Sequence, residues 1–336
     1  MTALVLRNFD ESSIDDMIEI LSKARADHPH ERRLTPDEAR EYTVLDPDFD
    51  SEGSWFAILE GEAVGFGFVL VESNRIKAGK DDAYVDIDVV PEHRGKGVEQ
   101  KLLDKSLDYL RSRNVGGALS RCPVMDGWKR SLLTSHSFEE VYRVYVLVRR
   151  GRAEVQDALP PPGFQLERRS LRECSNDDIT KIVDVFNDSF RDHFNFAPER
   201  PERFINARDC RDDPTILTLA WRMGEITGFC LSEESLTFNQ EKGERTGWVD
   251  ILGVRPRFRR IGLGKALLSD GMRWILDRGL DTIYLGVFAK NEMALGLYRP
   301  FGFLNDTESV WYSKNIPKDA TDPSSHALDK SRDSGA

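Results

Sequence analysis

The stretch that decides the fold runs from Trp248 to Leu276 and reads WVDILGVRPRFRRIGLGKALLSDGMRWIL. It predicts a strand that ends at Val254, a glycine-containing turn at 259–264 (RRIGLG), and a helix that begins near Lys265. A turn of this kind leaves backbone N–H groups free at a helix N-terminus, where the helix dipole also favours negative charge. The turn is therefore a candidate pyrophosphate-binding site.

The same pattern occurs a second time, earlier in the chain. Pro91 and Pro256 lie 165 residues apart (256 − 91). Other identical pairs share this spacing, namely Val89/Val254, Arg94/Arg259, Gly97/Gly262, Leu102/Leu267, Leu103/Leu268, Arg113/Arg278 and Phe138/Phe303. Identical residues at one fixed spacing over so long a segment are hard to obtain by chance. We therefore predict a tandem duplication.

Length and composition fit two domains. The 336 residues are too many for one ordinary core and suit two domains of about 150 residues each. Residues 151–163 (GRAEVQDALPPPG) contain three consecutive prolines, which is typical of a semi-rigid linker. We expect one domain at 1–150, a second at 164–316, and a disordered tail at 317–336, which has few apolar residues to bury.

Composition also disfavours several classes of function. No apolar run approaches the roughly 18 residues of a membrane span, and the N-terminus lacks signal-peptide character, so we expect a cytoplasmic protein with no membrane partner. The net charge of −11 argues against a nucleic-acid partner and favours a cationic acceptor. The four cysteines have no CxxC spacing, so we expect free thiols and no metal site.

Both halves show the same order of predicted elements. Each begins with a strand and helices, continues with a hairpin of two alternating strands, and ends with strand-helix units that include the glycine turn. Hairpins early and strand-helix units late predict an α+β fold. We expect a central, mostly antiparallel mixed sheet flanked by helices in each half. This order is not that of a doubly wound nucleotide-binding fold.

Three features together resemble the GCN5-related N-acetyltransferase (GNAT) superfamily. They are the turn RRIGLG, the valine-proline exit from the preceding strand, and the segment NEMALGLYRPFGF at 291–303. The turn matches the family's Q/RxxGxG/A motif at Arg259, Gly262 and Gly264. The resemblance extends over nearly the whole chain up to about residue 314, and the layout is similar to that of tandem members of the superfamily. It implies two GNAT-like domains in tandem.

The resemblance implies acetyl-CoA as the acetyl donor. Backbone N–H groups of Arg260 to Lys265 would hold the pyrophosphate, and an N–H near Val254 would polarise the thioester carbonyl. Asn291 would contact the cofactor, with a helix cap as the alternative. The expected cofactor-binding residues are Leu252, Gly253, Val254, Arg259, Arg260, Ile261, Gly262, Leu263, Gly264, Lys265, Asn291 and Tyr298.

The chemistry needs a base for the amine proton and a proton donor for the departing thiolate. Tyr298 stands at the family's general-acid position and is the expected donor, with a plain core tyrosine as the alternative. Asp250 is the candidate base, because alternation along the strand gives it the side-chain direction of Leu252 and Val254. A paired structural carboxylate is the alternative for Asp250.

Two observations leave the base open. Many family members carry a glutamate on this strand at the position of Trp248, which cannot accept a proton. Glu244 and His193 are further candidates for the base, and a solvated loop charge is the alternative for Glu244.

Segment 188–200 (DSFRDHFNFAPER) corresponds to a loop that often covers the acceptor site in this superfamily. Phe190, His193, Phe194 and Phe196 of this loop either line the acceptor pocket or only pack within the protein. The candidate acceptor contacts are His193 and Phe194 of the loop and Trp248 of the strand.

The first half has lost the decisive residues. At the same spacing, Glu99 replaces Gly264, Asp126 replaces Asn291 and Leu133 replaces Tyr298. We therefore expect a degenerate N-terminal domain that does not catalyse and binds acetyl-CoA weakly or not at all. It would support the fold and close one wall of the acceptor pocket, with catalysis in the C-terminal domain. The alternative is that Glu99 only tilts the turn and leaves some acetyl-CoA affinity.

The favoured function is acetyl transfer to the amine of a small molecule. The alternatives are a protein acetyltransferase acting on a lysine or N-terminus and a non-catalytic acyl-CoA-binding module, against which the presence of Tyr298 counts. A monomer and a homodimer are both compatible with the sequence.

Overall fold

A computed structural model describes residues 3–318. Within them, twelve strands form one continuous sheet, and their bounds are β1 (Val5–Asn8), β2 (Ser54–Leu59), β3 (Glu62–Leu70), β4 (Ala83–Val89), β5 (Gly117–Pro123), β6 (Glu139–Arg150), β7 (Gln165–Ser170), β8 (Thr215–Arg222), β9 (Glu225–Glu233), β10 (Thr246–Val254), β11 (Thr282–Phe288) and β12 (Leu304–Asn315). The α-helices are α1 (Ile14–Ala24), α2 (Pro36–Glu41), α3 (Ser73–Lys77), α4 (Val98–Ser112), α5 (Gly127–Ser135), α6 (Asn176–Phe190), α7 (Pro201–Cys210), α8 (Leu236–Lys242), α9 (Leu263–Asp277) and α10 (Glu292–Tyr298).

The two halves exchange their last strands. The sheet order is β1-β2-β3-β4-β5-β12-β6-β11-β10-β9-β8-β7, which is symmetric about the β12–β6 pair. Strand β12 of the second half therefore pairs with β5 of the first, and β6 of the first half pairs with β11 of the second. Each half completes its sheet with a strand from the other. The α+β prediction with a mixed, mostly antiparallel sheet is confirmed, because only β4–β5 and β10–β11 are parallel among the described pairs.

Residues 151–163 contain neither helix nor strand, and they connect the end of β6 to the start of β7. The division into domains on either side of this segment stays a prediction. The predicted disordered tail lies outside the described residues from 319 onward.

Helices cover both faces of the sheet. In the second half, α9 packs on one face through a core that includes Leu267, Met272 and Ile275, while α6 packs on the other with Ile179 and Ile182. The first half repeats this arrangement with α4 and α1. The sheet therefore has a buried core on each side.

Strands β10 and β11 diverge along their length. They pair in parallel only from Thr246↔Thr282 to Val249↔Leu285, although β10 continues to Val254 and β11 to Phe288. Beyond Val249, β10 still pairs with β9 and β11 still pairs with β6, but β10 and β11 no longer pair with each other. This divergence opens a groove in the middle of the second half.

Three further features concern the described residues alone. Within 3–318, no helix has both the length and the apolar character needed to cross a membrane. The same part of the chain has no group of three or more His, Cys, Asp or Glu residues arranged to hold a metal ion. The four cysteines are free thiols.

Candidate active site

The groove between the diverging strands is a cavity of about 730 Å³. Strand β10, the first turn of α9, the end of β11 and α10 form most of its wall, and the end of α6 with His193 closes one side. Val144 of β6 also lines it, so the exchanged strand from the first half contributes to the site. We call this cavity the central groove. It contains Tyr298, Asp250, Asn291 and the glycine turn together, as predicted from the sequence.

The glycine turn presents a row of unused donors. Gly262 has φ 93° and Arg260 has φ 66°, a left-handed conformation that aims successive N–H groups outward before α9 begins at Leu263. No hydrogen bond within residues 3–318 uses the backbone N–H groups of residues 260–265. A free amide row at a helix N-terminus fits a diphosphate.

Gly264 keeps the entrance to this amide row open. A Cβ at this position would meet only Leu297 Cδ2 at 3.7 Å and Val254 Cγ2 at 3.8 Å, which are ordinary contacts. Ile261 is 47% exposed but does not line the groove, and Leu263 is buried in the core. These two predicted cofactor residues therefore offer backbone groups only, whereas Lys265 lines the groove.

Arg259 holds the turn in place. Its Nε donates to the carbonyl oxygen of Val254 at 3.0 Å and its Nη2 donates to that of Ser189 at 2.5 Å. In the first half, Arg94 makes the same pair of bonds, to Val89 at 3.0 Å and to Ala24 at 2.5 Å. The first half retains the arginine and both bonds although its glycine turn is altered. The conformation of the turn is therefore enough to explain the arginine.

The first half fills its own anion position. Glu99 Oε1 accepts the backbone N–H of Gly95 at 2.7 Å, and the side chain is buried. Gly95 is the counterpart of Arg260 at the 165-residue spacing, so a carboxylate of the chain binds an amide whose counterpart in the second half has no acceptor within residues 3–318. Asp88, the counterpart of Gly253 at the same spacing, is also bound within the chain, because Arg25 donates to both its oxygens at 2.9 and 2.8 Å.

Tyr298 lies on α10 at the wall of the groove and is 7% exposed. Burial raises its pKa above the ordinary value, so the hydroxyl keeps its proton at neutral pH. No residue of the described range hydrogen-bonds to this hydroxyl, which leaves it free to donate to a ligand. Asn291 instead caps α10, since its Oδ1 accepts the N–H of Ala294 at 3.1 Å. It lines the groove as well.

The expected direction of Asp250 is wrong. A β-bulge interrupts the β10–β9 pairing between Val249 and Ile251, and the extra residue shifts the alternation. Leu252 packs with the α9 core, whereas Asp250 shares a cavity with Leu231 and Ile251 on the α6 side. Asp250 still lines the central groove, because the bulge lies where β10 leaves β11.

A second cavity, of about 220 Å³, adjoins the central groove, and both are lined by Asp250 and Ile251. We call it the acceptor-side cavity. Its first-half wall consists of Glu41, Tyr42 and Asp46, and its second-half wall of Leu171, Arg172, Arg203, Phe204, Ala207, Arg208, Arg211, Asp213, Thr215, Leu231, Glu233, Asp250 and Ile251. The two halves thus build it jointly.

Three carboxylates that line this cavity have a raised pKa, and for Asp213 the main cause is burial. Burial, together with the nearby charge of Asp250, raises the pKa of Glu233 to about 8. Crowding by protein atoms raises the pKa of Asp250 as well, while Arg211 opposes the shift. Asp250 keeps contact with solvent through the open cavity. Two close carboxylates that resist simultaneous ionisation can accept a proton near neutral pH.

Only one of the three predicted acceptor contacts lines the central groove, although His193 and Phe194 share a smaller neighbouring cavity with Phe190 and Phe196. His193 lines the groove, and burial lowers its pKa, which favours a neutral imidazole. Phe194 instead stacks on Tyr142 with ring centroids 4.2 Å apart, outside the groove. Trp248 packs against Tyr284 at 5.1 Å and lines neither of the two cavities. Glu244 is exposed on the loop before β10.

Several lining residues carry no sequence signal. Ser189 has a buried Oγ that finds no hydrogen-bond partner among residues 3–318, and it faces Gly253, whose added Cβ would lie 3.2 Å from that oxygen. Phe288 and Val144 line the groove because β11 and β6 pair there. Glu233 could have been suspected only if the β9–β10 register had been known, because it pairs with Trp248.

Comparisons with known proteins agree with this geometry. The sequence model of the acetyltransferase (GNAT) family matches residues 15–126 and 179–303, once in each half. Mycothiol acetyltransferase of Amycolatopsis mediterranei is 27% identical over 317 residues, covering 92% of this chain and 97% of that protein. The mycothiol acetyltransferase of Stackebrandtia nassauensis is 28% identical over 272 residues, covering 76% and 80%. A tandem GNAT protein from the clavulanic acid biosynthesis pathway has a similar structure, with TM-score 0.72 at 13% identity, covering 94% of this chain and all of that one.

Proposed function

This chain belongs to the acetyltransferase (GNAT) family, and we propose that its second half transfers an acetyl group from acetyl-CoA to the amine of a small molecule. Family membership implies an acyl-CoA donor. The similarity to proteins named mycothiol acetyltransferase supports a small-molecule acceptor. The chain is a GNAT N-acetyltransferase; the donor's acyl group, the acceptor and the roles of the two halves are the proposed parts.

One observation carries the assignment of roles to the halves. The backbone N–H groups of residues 260–265 have no acceptor in the described chain, whereas the equivalent N–H of Gly95 is taken by Glu99. A diphosphate would have to displace a buried carboxylate in the first half but meets free donors in the second. One acyl-CoA site per chain follows, and the first half serves as scaffold and as a wall of the acceptor-side cavity.

Each residue of the groove then has a task. The amide row of the glycine turn binds the pyrophosphate. From Leu252 to Val254, β10 pairs with β9 on one edge only, and its other edge, which has left β11, offers backbone groups to the pantetheine arm. Acetyl-CoA supplies a thioester whose carbonyl carbon is open to attack by an amine. A backbone N–H near Val254 stabilises negative charge on that carbonyl oxygen.

Proton transfers complete the reaction. The amine nitrogen forms a bond to the carbonyl carbon and loses a proton, which Asp250 accepts at the junction of the two cavities. The carbon–sulfur bond then breaks, and the Tyr298 hydroxyl gives its proton to the departing sulfur. Asp250 takes the place of the base that Trp248 cannot provide.

The alternatives have less support. A protein acetyltransferase needs room for a polypeptide segment, but the acceptor-side cavity is about 220 Å³ and is walled by both halves. A binding module without catalysis would have no use for a buried, unpartnered tyrosine hydroxyl in the groove.

The direct experiment measures CoA release by the purified protein with acetyl-CoA and a panel of small amines. Turnover that requires an amine and disappears in Asp250→Asn, while the variant still binds acetyl-CoA, supports the proposal. Failure of the wild type to bind acetyl-CoA would overturn it.

A further inference from the structure

We infer that the acceptor is a compact amine without an acidic group and that Glu233 and Asp250 recognise it as an ammonium ion in the acceptor-side cavity. This inference rests on the proposed function and specifies its substrate class.

The position of the cavity fits an acceptor site. It meets the central groove at Asp250 and Ile251, just beyond Val249, where β10 stops pairing with β11. An amine held there can reach the groove, in which the thioester binds. The volume of about 220 Å³ is below the usual 300–1,000 Å³ of pockets for drug-sized ligands, so a compact molecule fits best.

The cations of the wall are already paired. Arg211 donates from Nε and Nη2 to the two oxygens of Glu41 at 2.8 and 2.7 Å and from Nη2 to the Tyr42 hydroxyl at 2.8 Å. Arg203 donates to Asp46 at 3.0 Å. The two remaining arginines of the wall are also bound, Arg172 to Asp212 at 2.7 Å and Arg208 to Asp209 at 2.7 Å.

The acids of the wall divide into two groups. Glu41 and Asp46 are held by the arginines just described, and Asp213 accepts the backbone N–H of Leu236 at 2.8 Å. Glu233 and Asp250 have neither a hydrogen bond nor an ion pair within the described part of the chain. The charge left over in the cavity is therefore negative, although Arg211 lies near enough to moderate it.

This imbalance sets the chemistry of the ligand. An ammonium ion would supply the hydrogen-bond donors that the two carboxylates lack. Before attack it releases one proton to solvent, which frees the nitrogen lone pair, and Asp250 accepts the second proton when the new bond forms. A carboxylate or phosphate on the acceptor would lie near them, and no arginine of the described cavity wall is free to neutralise it, so the like charges would weaken binding. The raised pKa of Glu233 agrees with two carboxylates that have no bound cation.

The test compares amines with their carboxylated analogues: tyramine with tyrosine, histamine with histidine, and cadaverine with lysine. Steady-state kcat/KM is measured by CoA release at pH 7.5. We expect the amine to exceed its carboxylated analogue by about 100-fold or more in each pair that reacts. Equal or better turnover of the carboxylated member overturns the inference.

Two variants assign the effect to the cavity. Glu233→Gln should raise KM for the amine about tenfold or more and reduce the preference over the carboxylated analogue. Asp213→Asn is the matched control, because this carboxylate lies in the same cavity but is already bound to Leu236, so the preference should persist. Equal loss of preference in both variants, or none in Glu233→Gln, would contradict the role of Glu233.

Failures of the two proposals are distinguishable. A protein that binds acetyl-CoA but acetylates none of the three compact amines refutes the acceptor class and leaves the acyl-CoA site intact. A protein that does not bind acetyl-CoA refutes the proposed function itself.

Discussion

Replacing Gly264 by glutamate should transfer the defect of the first half to the second. Glu99 holds the Gly95 N–H at 2.7 Å, and the introduced carboxylate would reach the N–H of Arg260 in the same way. That amide belongs to the row that we assign to the pyrophosphate. The introduced carboxylate would then compete with the pyrophosphate for this amide.

The magnitude follows from charge and hydrogen bonding. Two like charges about 5 Å apart at an effective dielectric constant of about 20 repel by about 3 kcal/mol. Loss of one amide hydrogen bond to a charged ligand adds about 1.5 to 3 kcal/mol. Together these effects weaken acetyl-CoA binding by roughly 1,000-fold or more. The fold should not suffer, because a carboxylate in the first turn of α9 interacts favourably with the helix dipole.

Isothermal titration with acetyl-CoA gives the dissociation constants. Gly264→Ala is the control for size, since its Cβ makes only ordinary contacts at 3.7 and 3.8 Å, and its affinity should stay within about threefold of the wild type. Gly264→Gln separates bulk from charge. Wild-type affinity in a folded Gly264→Glu protein would refute both the amide-row assignment and the explanation of the inactive half.

Three further predictions use the same protein. Tyr298→Phe should lower kcat about 10- to 1,000-fold without changing acetyl-CoA affinity, because only a proton donor is removed, and unchanged turnover would exclude Tyr298 from the mechanism. Arg94→Met and Arg259→Met should both lower the melting temperature, because each arginine ties its turn to two carbonyls, but only Arg259→Met should weaken acetyl-CoA binding; equal weakening by both would contradict the assignment of a single site. Burial raises the pKa of Glu233 from its ordinary 4.5 to about 8, so the folded state retains a proton that the unfolded state releases, and stability is lost as pH rises between these values. Glu233→Gln avoids this loss, so its melting temperature relative to wild type should rise from pH 5 to pH 8.5, and a constant difference in melting curves would contradict the pKa assignment.

Much of the architecture followed from local patterns. The duplication, the α+β class and GNAT membership rested on spacing and on motifs of consecutive residues, and all three are confirmed. Exchange of β6 and β12 was not predictable, because strand order depends on contacts between segments far apart in the chain. The local sequence of β6 and of β12 predicts a strand whether or not the two halves exchange them.

The motifs of the candidate site were predictable from the sequence, but the register of the strands that orient its residues was not. The glycine turn, Asn291 and Tyr298 lie around one groove because short segments fix them. The direction of Asp250 was predicted wrongly, since a bulge depends on the neighbouring strand and leaves no mark in the alternation of β10 itself. Glu233 and Arg211 reach the acceptor-side cavity only through tertiary packing, so neither had a signal of its own.

Glu99 gives the proposed absence of an acyl-CoA site in the first half a physical basis. Glu99 was identified from its alignment with Gly264, but its hydrogen bond to Gly95 gives the physical reason. The carboxylate does more than obstruct a phosphate, since it satisfies the same amide and is itself buried. Arg94 persists there because it supports the turn regardless of any ligand.

The central claim is a single acyl-CoA site per chain, in the second half. Native mass spectrometry of the full chain with increasing acetyl-CoA counts bound ligands directly. We expect one acetyl-CoA per chain at saturation and none on Gly264→Glu. Two per chain would show that Glu99 does not block the first half, and none on the wild type would show that the free amide row does not serve acyl-CoA.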